Sequence, residues 1–151
     1  MRLIALLDDA YHAHIFGYFW CQQFTDNRAK PIHLIVDTGC TTTTILSDDM
    51  TRLRMSCTGL NQSDPTTTAN GQIIPYVLPN IELFLEFYSG FLNLTKKYRP
   101  VGMSEIHCHS PTDPQQMTEE KTLRACSLLG MDFLHYFKKW KFTENLLFLD
   151  T

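Results

Sequence analysis

An all-β domain with one short helix near its C-terminus is the fold class this sequence predicts, on three observations. Ile32-His33-Leu34-Ile35-Val36 follows Pro31 and stops at Asp37-Thr38-Gly39, a short apolar run closed by turn residues. Ile81, Leu83, Leu85 and Phe87 alternate with Glu82, Phe84, Glu86 and Tyr88, the period-two pattern of a strand with one buried face. Helical spacing appears only late, where Met131, Leu134, His135 and Lys138 stand at i, i+3, i+4 and i+7 with Phe133 and Phe137 beside them.

Along the chain, residues 1–11 are expected to form an N-terminal extension. Met1-Arg2-Leu3-Ile4-Ala5-Leu6-Leu7 is too short an apolar stretch for a secretory signal, which needs roughly 7–15 such residues and a small-residue cleavage site. Ile15-Phe16-Gly17-Tyr18-Phe19-Trp20 is aromatic and β-prone. Thr25-Asp26-Asn27 reads as a turn, so these residues and the run ending at Asp37 form a hairpin. Between Asp64 and Pro79, the Thr66-Thr67-Thr68 run, Ala69-Asn70-Gly71 and Ile73-Ile74 predict a second, polar-tipped hairpin standing clear of the core. Residues 96–120 hold three prolines and little periodicity and are expected to be a long surface loop. Gly130 and Trp140-Lys141-Phe142 confine the helix to two or three turns. Thr143-Glu144-Asn145 is then a turn, and Leu146-Leu147-Phe148-Leu149 a last strand.

Composition narrows the function classes. The chain has 151 residues, 13 Lys and Arg against 16 Asp and Glu, and a net charge of −3. That length suits one domain, 1–151, and a pI near 6.0 with no basic cluster argues against a nucleic-acid partner. No apolar run reaches the ~18–20 residues of a membrane span. Cys21, Cys40, Cys57, Cys108 and Cys126 are odd in number, with no C-x-x-C, which fits reduced core thiols and a cytoplasmic location. On that view Asn61-Gln62-Ser63 and Asn93-Leu94-Thr95 match the glycosylation pattern by accident.

Asp37-Thr38-Gly39 carries the chemistry. A carboxylate at the end of an apolar strand is partly desolvated, Gly39 lets backbone amides approach it, and the Thr38 hydroxyl is available to brace the turn. About 90 residues on, Leu128-Leu129-Gly130 leads into the short helix, and Gly130 permits close packing beneath the Asp37 loop. Together with Thr42-Thr43-Thr44-Ile45-Leu46 and Thr68-Ala69-Asn70-Gly71-Gln72-Ile73-Ile74, these segments resemble the retropepsin-like aspartic proteases, single-lobed relatives of pepsin. The likeness runs over roughly residues 12–150.

The resemblance implies a closed, barrel-like acid-protease lobe that is half an enzyme. No second Asp-Thr-Gly or Asp-Ser-Gly is present, so the other carboxylate would come from a second copy, giving a homodimer with one Asp37 per subunit on an isologous axis. Two carboxylates about 3 Å apart share a proton, as in pepsin. The ionised one would activate water while the protonated one polarises the scissile carbonyl. Thr38 and Gly39 would support the loop, Ala69, Asn70 and Gly71 would close as a flap over a peptide or protein substrate, and Leu129 and Gly130 would pack under the site. The terminal strands, Leu146 to Leu149 with Leu3 to Leu7, would pair across subunits. No metal or organic cofactor is implied. Viral members often carry an acidic residue two positions after the tripeptide's glycine and an Arg just after the later glycine; here those positions are Thr41 and Met131, and Cys40 stands where Ala or Ser is common.

Other readings remain beside this one. A catalytically inactive, protease-like dimer would bind peptides or scaffold another protein, with Asp37 only capping its turn. His107-Cys108-His109 places two imidazoles on one strand face, the start of a metal site, and His12 with His14 forms a similar pair. A Cys-His protease would use Cys40 or Cys108. Asp132 reads as a helix N-terminal carboxylate, Asp48 and Asp49 as a solvated turn, and Met50, Met55 and Met103 as packing.

Overall fold

A computed structural model describes residues 1–90 and 95–151. The Asn93-Leu94 part of the second glycosylation pattern lies outside them. The structure is mostly strand. In the large sheet, β1 (Arg2–Leu7), β2 (Ala13–Trp20) and β3 (Lys30–Val36) run in sequence order. Next come β9 (Ser127–Leu129), β4 (Thr44–Ile45), β8 (Thr95–Cys108) and β7 (Tyr76–Ser89). Because β7 also pairs with β1 and β2, the sheet closes on itself as a barrel. β11 (Leu146–Asp150) joins the outer side of β1, and β10 (Lys139–Phe142) joins β11.

The alternation seen along the sequence fills this barrel. Ile81, Leu83, Leu85 and Phe87 of β7 point inward and are buried, as are Ile15 and Phe19 of β2 and Ile32 and Leu34 of β3. Each such side chain contributes about 1.5–3 kcal/mol through removal from water. The predicted β2–β3 hairpin forms, with His14 opposite Ile35 and Phe19 opposite Lys30. Its turn sets Asn27 at φ 53°, where its side-chain oxygen accepts the Trp20 indole N–H at 3.1 Å.

Four expectations need correction. Residues 1–11 are no extension: Leu3 and Ala5 are buried and β1 has β2, β7 and β11 as partners. The turn that follows is tied by Asp8, whose carboxylate accepts the amides of Ala10 and His12 at 2.9 Å and the His14 Nε2–H at 2.8 Å. Those bonds, the His14 one foremost, hold the Asp8 carboxyl well below the usual carboxylate range. The 96–120 segment is no loop either. It contains most of β8, paired over 13 positions with β7, then a 3-10 turn at Pro114–Gln116 and α2 (Glu119–Arg124). Much of β8 is exposed on both faces, so it carries no apolar period, and its strand form comes from the partner.

The third correction concerns helices. Among the described residues three short ones occur: α1 (Ser47–Arg52), α2, and α3 (Met131–Leu134), which is one turn rather than two or three. Phe133 and Leu134 are its buried residues, with Phe137 buried just beyond it; His135 and Lys138 are exposed, and Trp140-Lys141-Phe142 is strand. The fourth is Asp49, read as solvated. It is fully buried in α1, paired with Arg52 Nε at 2.7 Å, and accepts the Ser127 hydroxyl at 2.7 Å. Asp48 accepts the Thr112 hydroxyl at 2.6 Å. Met50 and Met55 are buried core residues.

Where β2 crosses β7, Gly17 leaves no room for a side chain. A Cβ there would stand 2.6 Å from the Phe84 carbonyl oxygen and 2.8 Å from a Leu85 methyl. Gly17→Ala is therefore expected to destabilise the barrel by about 1–3 kcal/mol, the cost of overpacking, read as a lower denaturant midpoint with an unchanged slope.

Candidate active site

Strand β3 ends at Val36 and delivers Asp37 to a loop that crosses the end of β9, because β9 lies between β3 and β4 in the sheet. The Asp37 amide donates to the Leu129 carbonyl at 3.1 Å, so the carboxylate leaves the sheet at a defined point. The Gly39 amide donates to Asp37 Oδ1 at 2.9 Å, and the Cys40 amide to the Asp37 carbonyl at 3.2 Å. Asp37 is half-buried, while Thr38 and Gly39 are exposed. The Gly39 amide, not the Thr38 hydroxyl expected from the sequence, is what braces this turn.

Gly130 lies beneath the loop. A Cβ on it would fall 2.7 Å from Thr42 C and Thr43 N and 2.9 Å from the Cys40 carbonyl oxygen, all backbone atoms. Any side chain would lift the loop. The contact is sealed by hydrogen bonds from the Met131 amide to Cys40 O at 2.8 Å and from the Asp132 amide to Thr41 O at 3.0 Å. Thr41 and Met131 thus sit in adjoining segments held by main chain.

Asp132 stands at the helix N-terminus, as its place in the sequence implies, and has a second task that the sequence does not show. Its carboxylate accepts the Thr43 amide at 2.9 Å, the Thr43 hydroxyl at 2.7 Å and the Phe133 amide at 2.9 Å. Thr43, fully buried, completes the circuit by accepting the Gly130 amide at 3.1 Å. The signal available in the sequence was an acidic residue two positions after Gly130 and a threonine six after Asp37. Nothing local links them.

A groove of about 860 Å³ opens at this loop. Its walls include Asp37, Gly39, Thr42 and Leu128 on the barrel side, and Thr66 to Asn70 with Ile73 from the predicted hairpin. That hairpin forms as β5 (Thr66–Thr68) and β6 (Gly71–Ile73), a two-stranded sheet separate from the barrel. Gly71, at φ 108°, supplies the positive φ of the turn, and the Thr68 hydroxyl both donates to Gly71 O and accepts the Asn70 amide. Asp37, Gly39, Ala69 and Asn70 therefore share one groove. Leu129 is buried in the core below, and Gly130 is buried against the loop.

His107 and His109 also line the groove, whereas the intervening Cys108 points into the core. Among the described residues, no group of three or more His, Cys, Asp or Glu side chains is placed to hold a metal ion. Burial pushes the Cys108 thiol up to about 12 and raises that of Cys40, which donates to Thr42 O at 2.9 Å. Such thiols stay protonated at neutral pH and make poor nucleophiles, which removes the physical basis of a Cys-His protease here.

The chain shows full-length similarity to a solved retropepsin-like aspartic protease from Rickettsia conorii. The identity is 21%, covering 99% of this chain and 89% of that one, with a TM-score of 0.53. At that identity the likeness establishes the fold: an all-β lobe of the acid-protease type. No protein-family model matches the chain, and no curated protein does.

Two predictions follow from the geometry. Asp132→Ala orphans the buried Thr43 amide, at a cost of about 1–3 kcal/mol, whereas Asp132→Asn, which keeps an acceptor, loses less; paired chemical denaturation curves measure the difference. Burial, and after it the neighbouring His107, lowers the His109 pKa; burial and His14 do the same for His33. Both are folded as neutral imidazoles, so the stability they lend is full above the ordinary histidine value of about 6.5 and declines as pH falls below it. The melting temperature is expected to drop on acidification from pH 7 to 5, and the double variant His33→Gln/His109→Gln to flatten that slope.

Proposed function

We propose that this protein is an aspartic endopeptidase that works as a homodimer, one Asp37 from each copy forming the catalytic pair. The observation that carries the reading is a half-buried carboxylate, oriented by its own loop, in a peptide-sized groove whose facing segment is a free-standing hairpin, on an acid-protease lobe. A single lobe supplies a single such carboxylate. The other aspartate on the groove, Asp48, is engaged by Thr112.

In the dimer the two Asp37 carboxylates share one proton, since both cannot ionise at close range. The ionised member takes a proton from the attacking water and the protonated member hydrogen-bonds the scissile carbonyl oxygen, so charge develops where a donor already stands. Gly39 amides hold the pair in place, and the exposed Thr38 hydroxyls face the second copy. The tip at Ala69, Asn70 and Gly71 acts as a flap, gripping an extended substrate backbone and excluding water. The substrate is a peptide or an extended protein segment, and free thiols at all five cysteines suit a reducing, cytoplasmic setting.

Incubating wild type and Asp37→Asn with a diverse peptide mixture from pH 3 to 8, and reading new termini by mass spectrometry, tests this. Wild type is expected to cleave with a bell-shaped pH profile, because the pair titrates as a unit. Asp37→Asn is expected to lose cleavage while keeping its fold and its dimer. A folded, dimeric wild type that cleaves nothing would make the groove a peptide-binding site instead.

A further inference from the structure

Four of the six histidine rings are engaged within the fold. His12 and His14 bond to Asp8, His33 to His14, and His135 to the Met131 carbonyl. The other two, His107 and His109, have no ring partner among the described residues, although both are partly buried and line the groove that holds Asp37. Strand alternation brings them together: Cys108 between them points into the core, so both imidazoles leave β8 on the groove side. Their amides donate to Thr43 O at 2.9 Å and Ile45 O at 3.0 Å, which fixes the backbone that carries them.

We propose that His107 and His109 form a subsite for an acidic side chain of the substrate, so that the endopeptidase selects glutamate or aspartate a few residues from the scissile bond; the inference deepens the protease reading and rests on it. A carboxylate supplies the acceptor that both rings lack, and a hydrogen bond to a charged group is stronger than one between neutral groups. The walls nearby are polar as well. Thr44 lies opposite His107 in the β4–β8 register, and Thr66, Thr67 and Thr68 face the same groove. An apolar substrate side chain here would leave the imidazoles desolvated and unpaired. In the sheet β9 and β4 lie between β3 and β8, and strands are about 4.8 Å apart, so His107 stands roughly 10–15 Å from the end of β3. Side chains span part of that gap, so a substrate extended at about 3.3 Å per residue meets the pair about two to four residues from the bond that Asp37 attacks.

The other charges on the groove are already placed. Asp37 belongs to the catalytic pair, Asp48 accepts the Thr112 hydroxyl, and Arg124 is paired at the surface with Glu120 at 3.1 Å. Behind the histidines stand Tyr76, opposite Cys108 on β7, and Cys57, whose thiol donates to the His109 carbonyl. Burial raises the Cys57 thiol and those of Cys40 and Cys126 on the groove, so none of them is an anion at neutral pH. Burial, and after it His107, lowers the His109 pKa, and a substrate carboxylate would raise it again. The preference for an acidic residue is therefore coupled to proton uptake. It grows as pH falls below the ordinary histidine value of about 6.5 and ends where a substrate glutamate itself protonates, near about 4.3.

Cleavage kinetics at pH 5 and pH 7.5 test this on wild type, His107→Gln, His109→Gln and His107→Glu, each checked for native circular dichroism. The probes are peptides that carry Glu, Gln or Lys two, three or four residues to either side of a bond that wild type cleaves. At pH 5 wild type is expected to favour Glu over Gln by about tenfold or more in kcat/KM at one of these positions, the scale of a charge-assisted hydrogen bond. The ratio is expected to shrink at pH 7.5. Each Gln variant is expected to bring it toward one, and His107→Glu to favour Lys over Glu instead. A loss of stability alone lowers cleavage of all the peptides in step and leaves the ratio intact. A variant whose ratio equals that of wild type, or a wild type that does not distinguish Glu from Gln, would overturn the subsite and leave the protease reading in place. A preference equal at both pH values would also overturn it, because the cation would then be Arg124. A wild type that cleaves no bond in the diverse peptide mixture would instead overturn the reading on which the subsite rests.

Discussion

The passage of the Asp37 loop over Gly130 is the contact on which the rest of the lobe depends. β3 and β4 are neighbours in sequence but not in the sheet, because β9 is inserted between them, parallel to β3 and antiparallel to β4. The connecting loop must cross the end of β9, and it does so at a backbone separation that excludes even a methyl group. Without that closeness the Cys40 and Thr41 carbonyls would lose their donors and Asp37 its anchor on Leu129. A buried unsatisfied backbone group costs about as much as a lost hydrogen bond, so the loop has one low-energy path.

Around this crossing, charge is used as a fastener. Asp132 gathers three donors at the start of a one-turn helix too short to hold its position by its own hydrogen bonds. Asp49, buried in α1, ties Arg52 and Ser127 together and so fixes β9 from the other side. Breaking one partner of such a pair costs more than the pair gains, because it strands a charge in low dielectric. These two carboxylates have all their work within the fold. Asp37, by contrast, spends one oxygen on the Gly39 amide and turns toward an open groove.

The groove itself is made of parts with different freedom. Its floor belongs to the barrel, where Leu129 and Leu34 are fully buried and packing is dense. Among the described residues the hairpin of β5 and β6 has no hydrogen bonds to the large sheet, and neither strand has a buried residue, the physical signature of a segment that opens locally at low cost. The Asp37 carboxylate thus sits on the rigid part of the groove and faces the more compliant one.

By itself, the sequence determined the strand-bearing character of residues 15–20, 32–36 and 81–88, the turn at Asn27, the hairpin tip at Gly71 and the conspicuous Asp37-Thr38-Gly39. All of these are local: an alternation, a turn residue, a carboxylate after an apolar run. It did not determine the strand form of Thr95–Cys108, which has no apolar period of its own and becomes strand because β7 offers it thirteen partners. Nor did it determine that residues 2–7 complete the barrel, that Asp49 is buried, or that Asp132 and Thr43 meet across 89 positions. Those outcomes depend on which segments become neighbours when the sheet closes, and hydrogen-bond pairing between distant segments leaves no periodicity in either segment alone. Tertiary structure also decided that β1 and β11 pair with each other, Arg2 opposite Asp150, because both present an open backbone edge that only the closed barrel brings together.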